Sequence, residues 1–386
     1  MKRHCIHDVR IIDGLGNDFA SADVFISGDT IRDIRIPSGP QPADWQAIPG
    51  QKRTLMPGLI DGHVHLLFDA SPQAPLAMLN RSRDQLIADA LGRAGITLQA
   101  GVTSIRELSG TAKGMFSLRD VLKPETAAPR IYDCFTPLTS QGGFGREVCF
   151  ELTRDNAAAI IRDVAEKADM IKVLGDRYDS TAPDGLAPQF DDATFELICR
   201  TCRDLGKPLD VHAKCRAVIK QCLRHGVNSI EHGVRAESDD LKEMAAQGVH
   251  LNATFWGLRC RSDHQPDFDE FMRVMSFYPR ARDAGVRLTL GSDSGAVFTP
   301  HGGALSEIEY MVQAGLAPMQ AITGATSLNA ERIADPTIGA VAVGRKADLL
   351  MIAEDPLKSI SALRKSLVWV MKDGEIVHHA RADKLD

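Results

Sequence analysis

The sequence predicts an α/β fold: a (β/α)8 TIM barrel with a small β-sandwich domain built from both termini. Three observations predict it. Strand-like runs alternate with amphipathic helical stretches through the middle of the chain. Both ends are β-rich instead. Histidine, lysine and aspartate recur where the strand-like runs end, the rim that such barrels use for chemistry. The expected division is a barrel over 58–337 and a split sandwich from 1–57 plus 338–386.

Residues 1–57 read as short strands, VRIIDG, SADVFISGDTIRDIRI and KRTLMPG, punctuated by the Gly and Asp that turns require. The far end is similar. ADLLMIAEDP and SLVWVMKDGEIVHH are β-rich, with Lys372-Asp373-Gly374 as a hairpin turn. Chain ends often lie close together, so one module assembled from both is expected. Between them the strand candidates are LIDGHVHL, TSIREL, RIYDCF, DMIKVL, PLDVHA, SIEHG, HLNAT and RLTLGSD. Helical stretches separate most of them, among them RDQLIADALGRAGITLQAG, RDNAAAIIRDVAEKA, DDATFELICRTCRDLG, RAVIKQCLRHG and SDDLKEMAAQG. A doubly wound sheet is expected to carry a Gly-rich nucleotide turn after its first strand; here that strand carries histidines.

The chain has 386 residues and a net charge of −6, which favours neither nucleic acid nor a membrane as partner. It has no apolar run of about 18 residues. MKRHCIHDVRIIDG lacks the apolar segment of a signal peptide, so a cytoplasmic protein is expected. Eight cysteines without framework spacing are expected as reduced thiols. Cys199 and Cys202 form a C-x-x-C inside an amphipathic stretch with no second pair following, which reads as buried helix cysteines rather than a zinc or redox site.

In GLIDGHVHL, His63 and His65 stand at i and i+2, so in a strand both aim to one face. The fourth strand places Lys172 among apolar neighbours, the fifth ends at His212, the sixth at His232 and the eighth at Asp293. Each has a bland reading alone: a hydrogen-bonded strand-end histidine, or a lysine snorkelling from a half-buried strand. Together they form a donor set suited to zinc and related divalent ions. Two close cations need a bridging ligand, which a protonated amine cannot be. Burial favours the neutral amine. A neutral Lys172 can add carbon dioxide and become a carbamate whose two oxygens bridge a metal pair.

The motifs PGLIDGHVH, MIKVLG, DVHA, SIEHG and GSDSG, with the tail GATSLNAERI…IGAVAVGRKADLLMIAEDP, resemble the amidohydrolase superfamily. The resemblance covers nearly the whole chain. It is nearest the imidazolonepropionase-related branch with Xaa-Pro dipeptidases, arginine carboxypeptidases and ochratoxinase-like amidases. It implies that His63, His65 and Asp293 bind one metal, that His212 and His232 bind a second, and that carboxylated Lys172 bridges them. It further implies a bridging hydroxide as nucleophile and Asp293 as proton shuttle to the leaving amine. Zinc is the default, and manganese and iron accept the same ligands. The implied partner is a small-molecule substrate with an amide bond, an N-acyl amino acid or a dipeptide-like compound. The implied assembly is a homo-oligomer.

The chain departs from the family pattern in two places. The substrate loop, usually Gly-Gly-His-Gly, reads Gly142-Gly143-Phe144-Gly145, and Phe144 lacks the hydrogen-bond donor. Tyr178 is a candidate replacement, or Phe144 packs on an apolar substrate. After the fifth strand the chain reads His212-Ala213-Lys214 where relatives carry His or Tyr last. Lys214 pairs with a substrate carboxylate or is simply solvated. Arg177 and His301 are further rim candidates. The competing functions are hydrolysis of a lactone, carbamate, ester or cyclic imide on the same site, a mononuclear deaminase, and a non-catalytic scaffold. The deaminase is disfavoured because no carboxylate follows His212 closely.

Overall fold

Parallel strands covered on both faces are near-continuous apolar runs, and the middle of this chain supplies them. In the computed structural model, Ile171–Leu174, Leu209–Ala213, Ser229–His232, His250–Asn252 and Arg287–Thr289 pair in sequence order, all parallel. Leu59–Val64, Val102–Glu107 and Arg130–Asp133 form a second parallel set. Backbone hydrogen bonds join the last strand region to the first: Asp293 N donates to the His63 carbonyl at 2.9 Å and His65 N to the Ser294 carbonyl at 2.8 Å. On the other side, Asp169 N donates to the Asp133 carbonyl at 2.8 Å. This is the α/β arrangement of TIM-barrel type. The structure describes residues 2–40, 43–122, 127–182, 185–262 and 267–380, so the last six residues of the expected C-terminal segment lie outside it.

Helices follow the apolar periodicity. Arg83–Gln99 opens at Ser82, whose side chain accepts from Gln85 N while Gln85 reaches back to Ser82 N, a capping box. Asp192–Asp204 opens at Asp191, whose side chain accepts from Thr194 N, and buries Cys199 and Cys202 as free thiols. Arg216–His225 ends at Gly226, where φ is +77°, a conformation glycine adopts without penalty. Among the described residues no helix is long and apolar enough to cross a membrane.

Both chain ends enter one eight-stranded sheet. Leu349–Ile352 runs antiparallel to Thr54–Pro57, which lies beside Arg3–Ile12. The hairpin turn at Lys372-Asp373-Gly374 forms as expected, with positive φ at Asp373 and Gly374. Ile6, Val9, Ile11, Val24, Leu349 and Met371 make an apolar cluster of their own, separate from the larger core of the parallel strands and their helices. Arg130 ties the two regions, donating to Asp348 at 2.6 Å and to Asp373.

Candidate metal centre

Adjacent residues on a strand point to opposite faces, so Glu231 and His232 should diverge. They do not. His232 has φ of +71°, which breaks the alternation and turns both side chains into the interior. Asp293 sits just beyond Arg287–Thr289 with φ of +57°. Such strained backbone at non-glycine residues persists where the surroundings fix it. His63 keeps the i, i+2 relation with His65 and their Nε2 atoms lie 3.2 Å apart. Asp293 Oδ1 is 3.0 Å from His65 Nε2 and 3.5 Å from His63 Nε2. The ligand atoms of these three residues lie within 4.8 Å of one another.

The partners behind the rings set which nitrogen is free. Nδ1–H of His63 donates to Glu231 Oε2 at 2.7 Å, leaving Nε2 bare. Nδ1–H of His232 donates to Thr254 Oγ1 at 2.8 Å, and that hydroxyl donates onward to the Ala253 carbonyl. Nε2–H of His212 donates to Asp176 Oδ1 at 3.1 Å. The nitrogens left over, His232 Nε2 and His212 Nδ1, face each other at 2.8 Å. Both nitrogens can give their lone pairs to one cation lying beside them. A histidine that gives its outer N–H to a carboxylate or hydroxyl and aims its inner nitrogen at its neighbours is arranged as a metal ligand. Burial first, then the positive neighbours, holds His63 and His232 well below the usual imidazole value, so both are neutral and able to ligate.

Lys172 completes the set. It is 2 % exposed, and its Nζ has no hydrogen-bond partner among the described residues. Burial, then the charges of Arg106 and Arg332, push its pKa down to about 7, where half the amine is neutral. Beneath it lies an ionic floor. Arg332 contacts both Asp210, at 3.0 Å, and Glu231, and Arg106 contacts Asp210. Burial alone would raise the Asp293 pKa; the hydrogen bond with His65 and the guanidinium charge of Arg261 help to outweigh it and hold the carboxyl well below its ordinary value. The donor set therefore fits a divalent cation pair: neutral imidazoles, an ionised carboxylate and an unpartnered amine.

All six expected ligands line one cavity of about 440 Å³. Its remaining wall is mostly apolar, with Phe68, Leu108, Val148, Leu186 and Val297. Phe144 lies edge-on to Tyr178 at 6.0 Å between ring centres, and both line the mouth. Arg177 lines it too and pairs with Asp179 at 3.4 Å. Lys214 reaches the cavity wall, but its ammonium is held by Glu270 at 2.7 Å, itself paired with Arg235, so it is neither solvated nor an unengaged cation. His301 does not line the cavity. Its Nε2–H donates to the Phe68 carbonyl at 2.9 Å, and Phe68 stacks on His65. It supports the wall from behind, held there by its bond to the Phe68 backbone.

Sequence reasoning did not single out Glu231, Asp176, Thr254, Arg261, Arg106 or Arg332. Glu231 had a readable signal, a carboxylate in an otherwise buried parallel strand. The others depend on contacts between distant segments.

A family model described as "Amidohydrolase family" matches residues 54–377. An imidazolonepropionase of Bdellovibrio bacteriovorus is 24% identical over 342 residues, 78% of this chain and 74% of that protein. An ochratoxinase of Aspergillus niger is 22% identical over 369 residues, covering 83% and 75% respectively. Among solved structures, a Xaa-Pro dipeptidase with bound methionine in the active site matches with a TM-score of 0.87. That likeness has 24% identity and covers 98% of this chain and 100% of the other.

Proposed function

The chain belongs to the amidohydrolase family, and from that premise we propose a binuclear metal-dependent hydrolase of amide bonds in N-acyl amino acids or dipeptide-like compounds. Family membership makes it a hydrolase of carbon–nitrogen bonds; the metal count, the carbamate and the substrate are the proposal. What carries it is the convergence of His63, His65, Lys172, His212, His232 and Asp293 on one cavity. We read the parallel strands as a (β/α)8 barrel over 58–337 and the terminal strands as a split β-sandwich of 1–57 plus 338–386.

In this reading His63, His65 and Asp293 hold one cation and His212 and His232 the other, zinc by the character of the donors. Bound there, the pair supplies Lewis acidity that makes water a nucleophile near neutral pH and polarises an acyl carbonyl. Lys172, as the neutral amine, would add carbon dioxide with loss of a proton and so supply an anionic carbamate as a further ligand for the pair. Asp293 Oδ2 takes the proton of the attacking water and delivers it to the leaving nitrogen. The apolar wall excludes bulk water and seats an apolar side chain. Tyr178 and Arg177 at the mouth take the polar end of the substrate. The partner is thus a small molecule, not nucleic acid or a membrane, in a cytoplasmic homo-oligomer.

A hydrolysis screen of the zinc-loaded protein across N-acyl amino acids, dipeptides, lactones, carbamates and cyclic imides tests the proposal. Preferred turnover of the amides, abolished by chelation, is expected. Preference for a lactone, carbamate or imide would replace the substrate class. No turnover and no bound metal would leave a scaffold.

A further inference from the structure

The segment after the seventh strand touches ligands from both neighbouring strands. Thr254, with φ of +53°, starts the helix Phe255–Arg261 and accepts the Nδ1–H of His232. Buried Glu307 fixes the start of that helix, accepting from Phe255 N at 3.0 Å and Trp256 N at 2.6 Å. Gly257 then lies against Asp293 so closely that an added Cβ would stand 2.9 Å from both Cβ and Oδ2 of the aspartate. One turn on, and so on the same face, Arg261 Nη1 donates to Asp293 Oδ2 at 3.3 Å and approaches Thr299 Oγ1 at 3.5 Å. The two carboxylate oxygens are thus divided. Oδ1 faces His63 and His65, and Oδ2 faces the guanidinium.

We propose that Arg261 is a positioning residue: it fixes the Asp293 carboxylate so that Oδ1 serves the metal and Oδ2 is presented to the reacting groups, with Gly257 leaving the room for it. The inference rests on the role given above to Asp293. A carboxylate free to rotate about χ2 exchanges its oxygens, because that torsion is broad. A charge-assisted hydrogen bond to one oxygen and a close backbone wall select one orientation. Groups of this kind, one shell behind the ligands, are worth about 10–100-fold in metal affinity or activity.

The test uses cobalt(II) as probe, added alone to metal-free full-length protein, with visible absorption and binding affinity as readouts. Arg261→Met should shift the absorption bands and weaken cobalt binding about tenfold. Arg261→Lys should restore most of the wild-type spectrum. Gly257→Ala, which leaves Arg261 in place, should produce a shift of its own, and it decides the matter if the methionine variant does not fold. On the best substrate of the screen, Arg261→Met should lower kcat about 10–100-fold with KM within about threefold. Unchanged spectra in Arg261→Met and Gly257→Ala, or a raised KM at unchanged kcat, would overturn the inference. Asp293→Ala separates the two levels. If it leaves the cobalt spectrum unaltered, the role of Asp293 fails, and the inference with it. If it alters the spectrum while Arg261→Met does not, only the inference fails.

Discussion

Glu231 serves two masters: Oε2 accepts from His63 Nδ1–H, and Oε1 faces Arg332. Replacing it by Gln keeps the shape and removes the charge. Glu231→Gln is expected to weaken zinc binding about 10–100-fold, measured by competition with a chromophoric chelator. It should also lower the unfolding free energy of the metal-free protein by about 3 kcal/mol, because Arg332 loses one of its buried counter-charges. A different residue governs acid stability. His250 opens the seventh strand, and burial followed by Arg287 and Arg106 brings its pKa from 6.5 to about 3. Between those values the unfolded chain binds a proton that the folded chain refuses, so stability is lost as pH falls. For His250 alone the loss at pH 5 is about 2 kcal/mol relative to neutral pH. In metal-free His250→Gln, urea unfolding should show a pH dependence shallower by about that amount; parallel curves would show that His250 is not neutral in the fold.

The loop 142–145 is held as an element rather than by any one contact. Gln189 Oε1 accepts from Phe144 N at 2.7 Å and from Thr139 Oγ1 at 3.1 Å, while its amide donates to the Leu174 carbonyl at 2.9 Å. Gly143 permits the approach, since a Cβ there would meet Gln189 Oε1 at 2.1 Å. Phe144 is therefore placed at the mouth by the hairpin Asp176–Tyr178 and Leu186–Pro188, which carries Gln189 at its end. Gln189→Ala frees the loop without touching the ligands. Steady-state kinetics should show KM raised about tenfold and kcat changed less than about twofold, the sign of lost uniform binding. An equal fall in kcat and kcat/KM would mean that the loop acts in the transition state.

On the scale of the molecule, the arrangement of strands and the side chains that converge on one cavity were legible because they follow local rules. His63 and His65 follow the two-residue period, and Lys172, His212, His232 and Asp293 stand where strand-like runs stop. Both β-rich ends announced the shared sheet. What was not legible is made by closure of distant segments. Lys214 reads as an available cation until Glu270, 56 residues on, is seen to hold it. His301 reads as a rim residue until the carbonyl of Phe68, 233 residues earlier, accepts its Nε2–H. Arg261 lies on a short helix whose sequence, FWGLRCR, carries no sign of Asp293 nearby. The ionic floor of Arg106, Asp210, Glu231 and Arg332 joins four separate segments. Burial, and then the charges of Arg106 and Arg332 in that floor, push the Lys172 pKa down to about 7. The most direct measurement is therefore the metal bound per folded chain, by elemental analysis after zinc and bicarbonate loading, in wild type and Lys172→Ala. The account predicts about two equivalents in the wild type and about one or fewer in the variant. A wild type that binds none, or a variant that keeps both, would contradict it.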